Sequence, residues 1–178
     1  TLNAGTFERS AEAGVDKDHN GGNSFYTILN HGTMTVASGV TVNNNGHYSS
    51  LFENGYYSYA NKDGIAMPEL TINGGTFDGG LNTIKNDDDA VLTINGGTFT
   101  NYTQAAFQNH GTATVNGGTF TADSWYSIDN CGCDATHDPG KLTITNGTFT
   151  GTLYVRSQFS DVSISGGTFT GNITKTGG

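Results

Sequence analysis

Three consecutive repeats of this chain carry cation-binding and proton-transfer side chains at corresponding places. These are Asp87, Asp88 and Asp89 in one repeat, His110 in the next, and Cys131, Cys133, Asp134 and His137 in the third. Carboxylate, imidazole and thiolate are the ligand types zinc accepts. If the repeats stack about 4.8 Å apart, Asp87, Asp89, His110 and Cys131 lie around one turn within reach of a shared divalent cation. No Cys-x-x-Cys pair is present, and the same residues also read as a solvated polar turn. A Cys131–Cys133 disulfide is the third reading, although so short a ring is usually strained.

What must position these groups is the repeat itself. Gly-Gly-Thr-Phe, preceded by an apolar-Thr-apolar triplet, occurs at Leu70–Phe77, Leu92–Phe99, Ala113–Phe120 and Val162–Phe169, and with Asn146-Gly147 in place of Gly-Gly at Leu142–Phe149. Phe77, Phe99, Phe120, Phe149 and Phe169 are 22, 21, 29 and 20 residues apart, which suits one turn of a solenoid and is too long for a hairpin. Leu-Thr-Ile alternates as a strand does, with both aliphatics on one face. Thr-Phe-Thr likewise points its Phe inward, and the intervening glycines supply the positive φ of a corner. A third short strand follows at Tyr26-Thr27-Ile28, Tyr57-Ser58-Tyr59, Asn82-Thr83-Ile84, Ala105-Ala106-Phe107 and Tyr126-Ser127-Ile128. Two residues after each stands an Asn (30, 61, 86, 109 and 130), a column of amides that can hydrogen-bond from coil to coil.

The expected fold is therefore all-β: a right-handed parallel β-helix with three short strands per coil of about 20–22 residues and about six or seven coils. On these motifs the chain resembles the parallel β-helix proteins of the pectate-lyase type. Its Gly-Gly-Thr-Phe-Thr-Gly phrases further resemble repeat segments of large surface and adhesin-like proteins of Gram-positive bacteria. That resemblance implies an extracellular, cell-surface location.

Composition agrees with one domain spanning residues 1–178, with loop insertions at 8–23, 43–57 and 129–141. The chain opens inside a repeat phrase and ends without a recognisable cap, so we expect a piece of a longer surface protein, monomeric as an isolated domain. Sixteen acidic against seven basic residues give a net charge of −9, which argues against nucleic acid or an anionic membrane surface as partner. No apolar run is long enough to span a bilayer, so membrane insertion is not expected.

Three functions compete. Asp88-Asp89 with His110-Gly111 one coil later is similar to the paired aspartates and His-Gly of polygalacturonases, which implies glycosidic hydrolysis by acid and base. The Asn-Thr-Asp and Arg-Ile-Lys companions of that motif are missing, and only Lys141 and Arg156 are loosely placed to serve lyase chemistry. The Thr pairs 98/100, 119/121, 148/150 and 168/170 resemble the Thr-x-Thr faces of ice-binding solenoids, interrupted by Asp78. The third reading rests on Phe25, Tyr56 and Trp125, placed at outward parity beside the insertions, opposite an inward Tyr26, Tyr57, Asn82, Ala105 and Tyr126. Outward rings on a rigid rod can stack on sugars or contact a protein. The expectation is a non-catalytic adhesive or display segment binding a glycan or a host or cell-surface protein. It needs no cofactor beyond the candidate cation at Asp87, Asp89, His110 and Cys131.

Overall fold

The computed structural model describes residues 1–9, 26–44, 49–55, 66–133 and 135–177, with nothing said of the Ser124 side chain. Phe25, Tyr56, Tyr57, Asn61 and most of the 8–23 insertion lie outside these residues. Among the described residues there is no helix, and every strand belongs to one sheet in which every strand pairing is parallel. The molecule is a right-handed parallel β-helix.

Its first face stacks the start of β3 (Thr33–Asn44), then β5 (Glu69–Ile72), β8 (Val91–Ile94), β11 (Thr112–Val115), β13 (Lys141–Ile144) and β15 (Asp161–Ile164). The second stacks β1 (Leu2–Arg9), the end of β3, β6 (Thr76–Gly79), β9 (Thr98–Asn101), the starts of β12 (Thr119–Asn130) and β14 (Thr148–Val155), and β16 (Thr168–Thr170). The third stacks β2 (Ile28–Asn30), β4 (Phe52–Asn54), β7 (Asn82–Asn86), β10 (Ala105–Asn109), the ends of β12 and β14, and β17 (Ile173–Lys175).

Each coil contributes to one axial core. Leu70 and Ile72, Leu92 and Ile94, and Leu142 and Ile144 are buried, while the Thr between each pair faces out. The Phe rings stack face to face along the rod, with centroids 4.9, 4.6, 5.0 and 4.7 Å apart from Phe77 to Phe169. Rung spacing imposes this near-parallel stack, where isolated rings prefer offset or edge-on pairs. The corner glycine before each ring is a packing requirement. Gly75 has φ of 109°, and a Cβ there would lie 2.7 Å from the Val40 carbonyl oxygen.

The Asn column is a continuous ladder. Nδ2 of Asn30, Asn54, Asn86 and Asn109 donates to Oδ1 of the next Asn at 2.7, 2.8, 2.9 and 2.8 Å, ending on Asn130. Within this column the structure differs from the sequence reading in one coil. β4 places Asn54 in the ladder, inside the segment 43–57 read as an insertion, and the third strand of that coil is Phe52-Glu53-Asn54. Phe52 is fully buried in the core, and a core ring outweighs the interval on which Tyr57-Ser58-Tyr59 was favoured.

Phe120 is buried between two stacked neighbours, so Phe120→Ala should cost about 3–5 kcal/mol of stability, measured by denaturant unfolding. A loss under about 1 kcal/mol would show that the ring column is not the core.

Candidate functional site

The outward side of the third face carries a row of unlike residues: Leu29, Glu53, Lys85, Gln108, Asp129, Tyr154 and Thr174, each paired with the next. Four of these, Glu53 to Asp129, are buried despite facing away from the core. They survive burial because each is partnered. Lys85 Nζ lies 2.9 Å from Asp87 Oδ2 and 3.9 Å from Glu53 Oε1. Asn82 donates to Gln108 Oε1 at 3.0 Å, and Gln108 donates to Asp129 Oδ2 at 3.4 Å. Arg156 closes the row with a two-pronged grip on Asp129, Nε to Oδ1 at 2.6 Å and Nη2 to Oδ2 at 2.7 Å. That grip raises the guanidinium's already high pKa further.

Glu53 and Asp87 form a hydrogen-bonded acid pair sharing one proton. Burial, then the Asp87 hydrogen bond and charge, push the Glu53 carboxyl up to about 9. Burial opposes the Asp87 charge, but hydrogen bonds from Glu53 and Lys85 and the Lys85 charge hold its carboxyl below the ordinary value. Glycosidic hydrolysis uses two carboxyl groups about 5–5.5 Å apart for retention or 6.5–9.5 Å for inversion. A directly bonded pair is closer than either, and with Glu53 only 2% and Asp87 only 1% exposed it offers no groove for a sugar.

At the turn after the Asn ladder, the residues expected to share a cation are drawn into separate pairs. Asp87 bonds Lys85. Asp89, whose φ of 54° is the only positive value at a non-glycine among the described residues, bonds His137 Nδ1 through Oδ2 at 2.9 Å. His110 Nδ1 bonds Asp138 Oδ2 at 2.9 Å. Burial lowers the pKa of His110, but the Asp138 hydrogen bond and charge outweigh it and hold the imidazole above its ordinary value. Cys131 is buried with Sγ 3.9 Å from Gln108 Nε2, and burial raises its thiol pKa far above the ordinary value. The groups that do converge are His110, Cys133 and Asp138, whose ligand atoms all lie within 4.8 Å of one another. Asp138 follows His137 in the insertion, and only the fold-back of that loop onto the preceding coil reveals it.

A second region lies at the corner between the second and third faces. Trp125 is 58% exposed, and Tyr102 at the same corner one coil earlier is 57% exposed. Trp125 meets Tyr126 edge-on at 6.1 Å, and Tyr126 stacks on Tyr154 at 5.1 Å with 15° between planes. The Arg156 guanidinium covers both tyrosine rings, 5.6 and 5.4 Å from their centroids. Asn43, Asn44, Asp78, Gly79 and Tyr102 line a shallow cavity of about 220 Å³ nearby on the second face.

The inward reading of Asn82 and Tyr126 is corrected here. Asn82 bonds the outward Gln108, and Tyr126 stacks on the outward Tyr154. The cause is a local break in alternation: Ala106 and Phe107 are consecutive yet both belong to the core, and cross-rung pairing skips Ala106 and Ser127. Thr83 and Ser127 at the same place satisfy their hydroxyls on backbone carbonyls of the adjoining corner, Gly79 and Thr100 for Thr83 and Gly151 for Ser127. Of the three expected ligand-binding rings, Trp125 stands in this platform, and Phe25 and Tyr56 lie outside the described residues. Tyr102 and Tyr154 were missed; the signal for Tyr102 was a large ring inside the corner phrase Asn101-Tyr102-Thr103-Gln104.

The Thr pairs form two columns in register, from Thr98 and Thr100 to Thr168 and Thr170, with Asp78 beside Thr100 where the second column stops. Compared with protein-family models, with curated proteins and with solved structures, the chain matches none.

Because Glu53 keeps its proton in the fold while the unfolded chain releases it near pH 4.5, the native state binds the extra proton between about pH 4.5 and 9. Stability should therefore fall as pH rises through that window, by up to about 1.4 kcal/mol per pH unit. Asp87 acts oppositely, its contribution present above 3.8 and lost as pH falls through its lowered folded value. Glu53→Gln mimics the protonated acid, so thermal unfolding of this variant should lose most of the decline between pH 5 and 8. An unchanged slope would show that another group carries it.

Proposed function

We propose that this chain is a non-catalytic, ligand-displaying segment of a bacterial cell-surface protein, and that its ligand is a glycan. The observation that carries the reading is the corner platform: exposed Trp125, the Tyr126–Tyr154 stack and Arg156 lying over both rings. Aromatic rings gathered at one corner suit a contact surface, and rings held by mutual stacking lose little entropy when a sugar covers them.

Charge narrows the ligand. Arg156 is already neutralised by Asp129, and the chain as a whole is at −9, so nothing at the platform attracts a polyanion. Flat rings bordered by hydrogen-bonding side chains suit an uncharged sugar whose apolar ring face stacks and whose hydroxyls find polar partners. The surface-protein and extracellular assignments draw on the Gly-Gly-Thr-Phe phrases and on the rod itself, which presents a preorganised surface at low ordering cost.

A glycan array probed with the 178-residue chain, followed by calorimetry on the hits, tests this. Trp125→Ala should weaken binding by about 2 kcal/mol or more and leave the unfolding midpoint nearly unchanged, since the ring is largely in water. A large stability loss without a binding change would place Trp125 in a satellite core and remove the reading's main support. The Thr columns stand on the second face, so Thr121→Val with Thr150→Val should leave glycan binding intact.

A further inference from the structure

The loop running from Cys131 to Gly140 leaves the rod after β12 and is drawn back over turns of the two preceding coils. Backbone bonds fix its return: Asp89 N donates to the His137 carbonyl at 2.7 Å and Gly140 N to the His110 carbonyl at 2.8 Å. This return carries Cys133 and Asp138 to His110, a residue of the rod proper, and brings nitrogen, sulfur and oxygen donors within 4.8 Å of one another. The loop is not cross-linked to itself, because Cys131 and Cys133 are both thiols.

Two features separate this cluster from an ordinary polar turn. The first is its donor set. Imidazole, thiolate and a single carboxylate match zinc, whereas calcium and magnesium take oxygen. The second is an unsatisfied oxygen on one of its members. Asp138 is only 5% exposed, its Oδ2 faces His110, and its Oδ1 is buried without a hydrogen-bond partner among the described residues. A buried carboxylate oxygen left unpaired is costly, and a cation satisfies it.

We propose that His110, Cys133 and Asp138 form a zinc site that staples the 131–140 loop to the preceding coil. With metal–ligand distances of about 2.0–2.3 Å, a tetrahedral ion places its donors roughly 3.3–3.6 Å apart. His110 and Asp138 stand at 2.9 Å, so the adjustment falls mainly on Cys133, which is exposed. Three protein ligands leave a fourth position for water. Cys131 is not among the three converging groups: its sulfur is buried against Gln108 and the Asp129 carbonyl.

The test is titration of the tag-free 178-residue chain with Co²⁺ alone and then Zn²⁺, followed by absorbance and thermal unfolding. We expect one Co²⁺ per chain, a near-ultraviolet thiolate-to-cobalt charge-transfer band, displacement by Zn²⁺, and a higher unfolding midpoint with Zn²⁺. Cys133→Ser should abolish the band, and Asp138→Asn should weaken affinity by more than about 10-fold, the least expected when even an outer partner of a metal site is removed. Cys131→Ser should change neither. Cys133 is exposed, so its Ser variant keeps the fold, and far-ultraviolet circular dichroism checks that. No thiolate band, or a band that survives Cys133→Ser, overturns the proposal.

Discussion

Everything in this molecule depends on holding successive coils in one register, and the buried Asn ladder from Asn30 to Asn130 is the interaction that does so. Each amide before Asn130 donates to the next amide oxygen and also to a backbone carbonyl at the start of a neighbouring first-face strand, as Asn54 does to Val91 and Asn109 to Lys141. A slip of one residue in any third-face strand would put a different side chain in the column and leave buried amide and carbonyl groups unpaired, at about 1–3 kcal/mol each. Apolar packing alone tolerates such slips better, because Leu, Ile and Phe are partly interchangeable in a core. The ladder therefore supplies specificity where the apolar core, the Phe stack included, supplies the burial. A second, exposed ladder, Asn73, Asn95 and Asn116 extended by Thr145, repeats the device at the first corner.

Fixed register transmits order from the core to the outer surface. Because Ile84, Phe107, Ile128 and Leu153 are locked inward, the residues that follow them, Lys85, Gln108, Asp129 and Tyr154, are locked outward in a single file. Arg156 then has one arrangement that meets Asp129 with two hydrogen bonds and both tyrosine rings at once. The platform is thus assembled by the rod itself.

Legibility from the sequence followed translational symmetry. Where residues repeat, as with the Phe column, the Leu-Thr-Ile strands and the Gly corners, local pattern and stacked structure agree. The misreadings came where symmetry breaks. Spacing suggested Asn61 for the ladder, but burial of Phe52 selects Asn54. Strict alternation turned Tyr126 inward, but the paired inward residues Ala106 and Phe107 one coil before, and the skipped Ser127, reverse it. Asp138 could not be singled out, since nothing in the order His137-Asp138-Pro139-Gly140 says which earlier turn the loop revisits. Glu53 was invisible for a different reason: its partners Lys85 and Asp87 lie more than 30 residues away, and only stacking makes them neighbours.

The contrast between the second and third faces follows from electrostatics at rung spacing. Uncharged Thr can repeat indefinitely along a column, whereas two like charges about 4.8 Å apart repel by roughly 3.5 kcal/mol even at an effective dielectric of 20. A charged column cannot be periodic, so the third face alternates: Glu53, then Lys85, then the neutral Gln108, then Asp129, with Arg156 compensating the last. Protonation of Glu53 relieves the remaining conflict with Asp87. Aperiodicity has a functional side. A uniform Thr face offers the same contacts at every rung and cannot fix a ligand's position along the rod, but a file in which each rung differs can. On the glycan-binding reading proposed above, the demand that charges not repeat makes distinct, among the described residues, the place where Asp129, Arg156, Tyr126, Tyr154 and Trp125 meet.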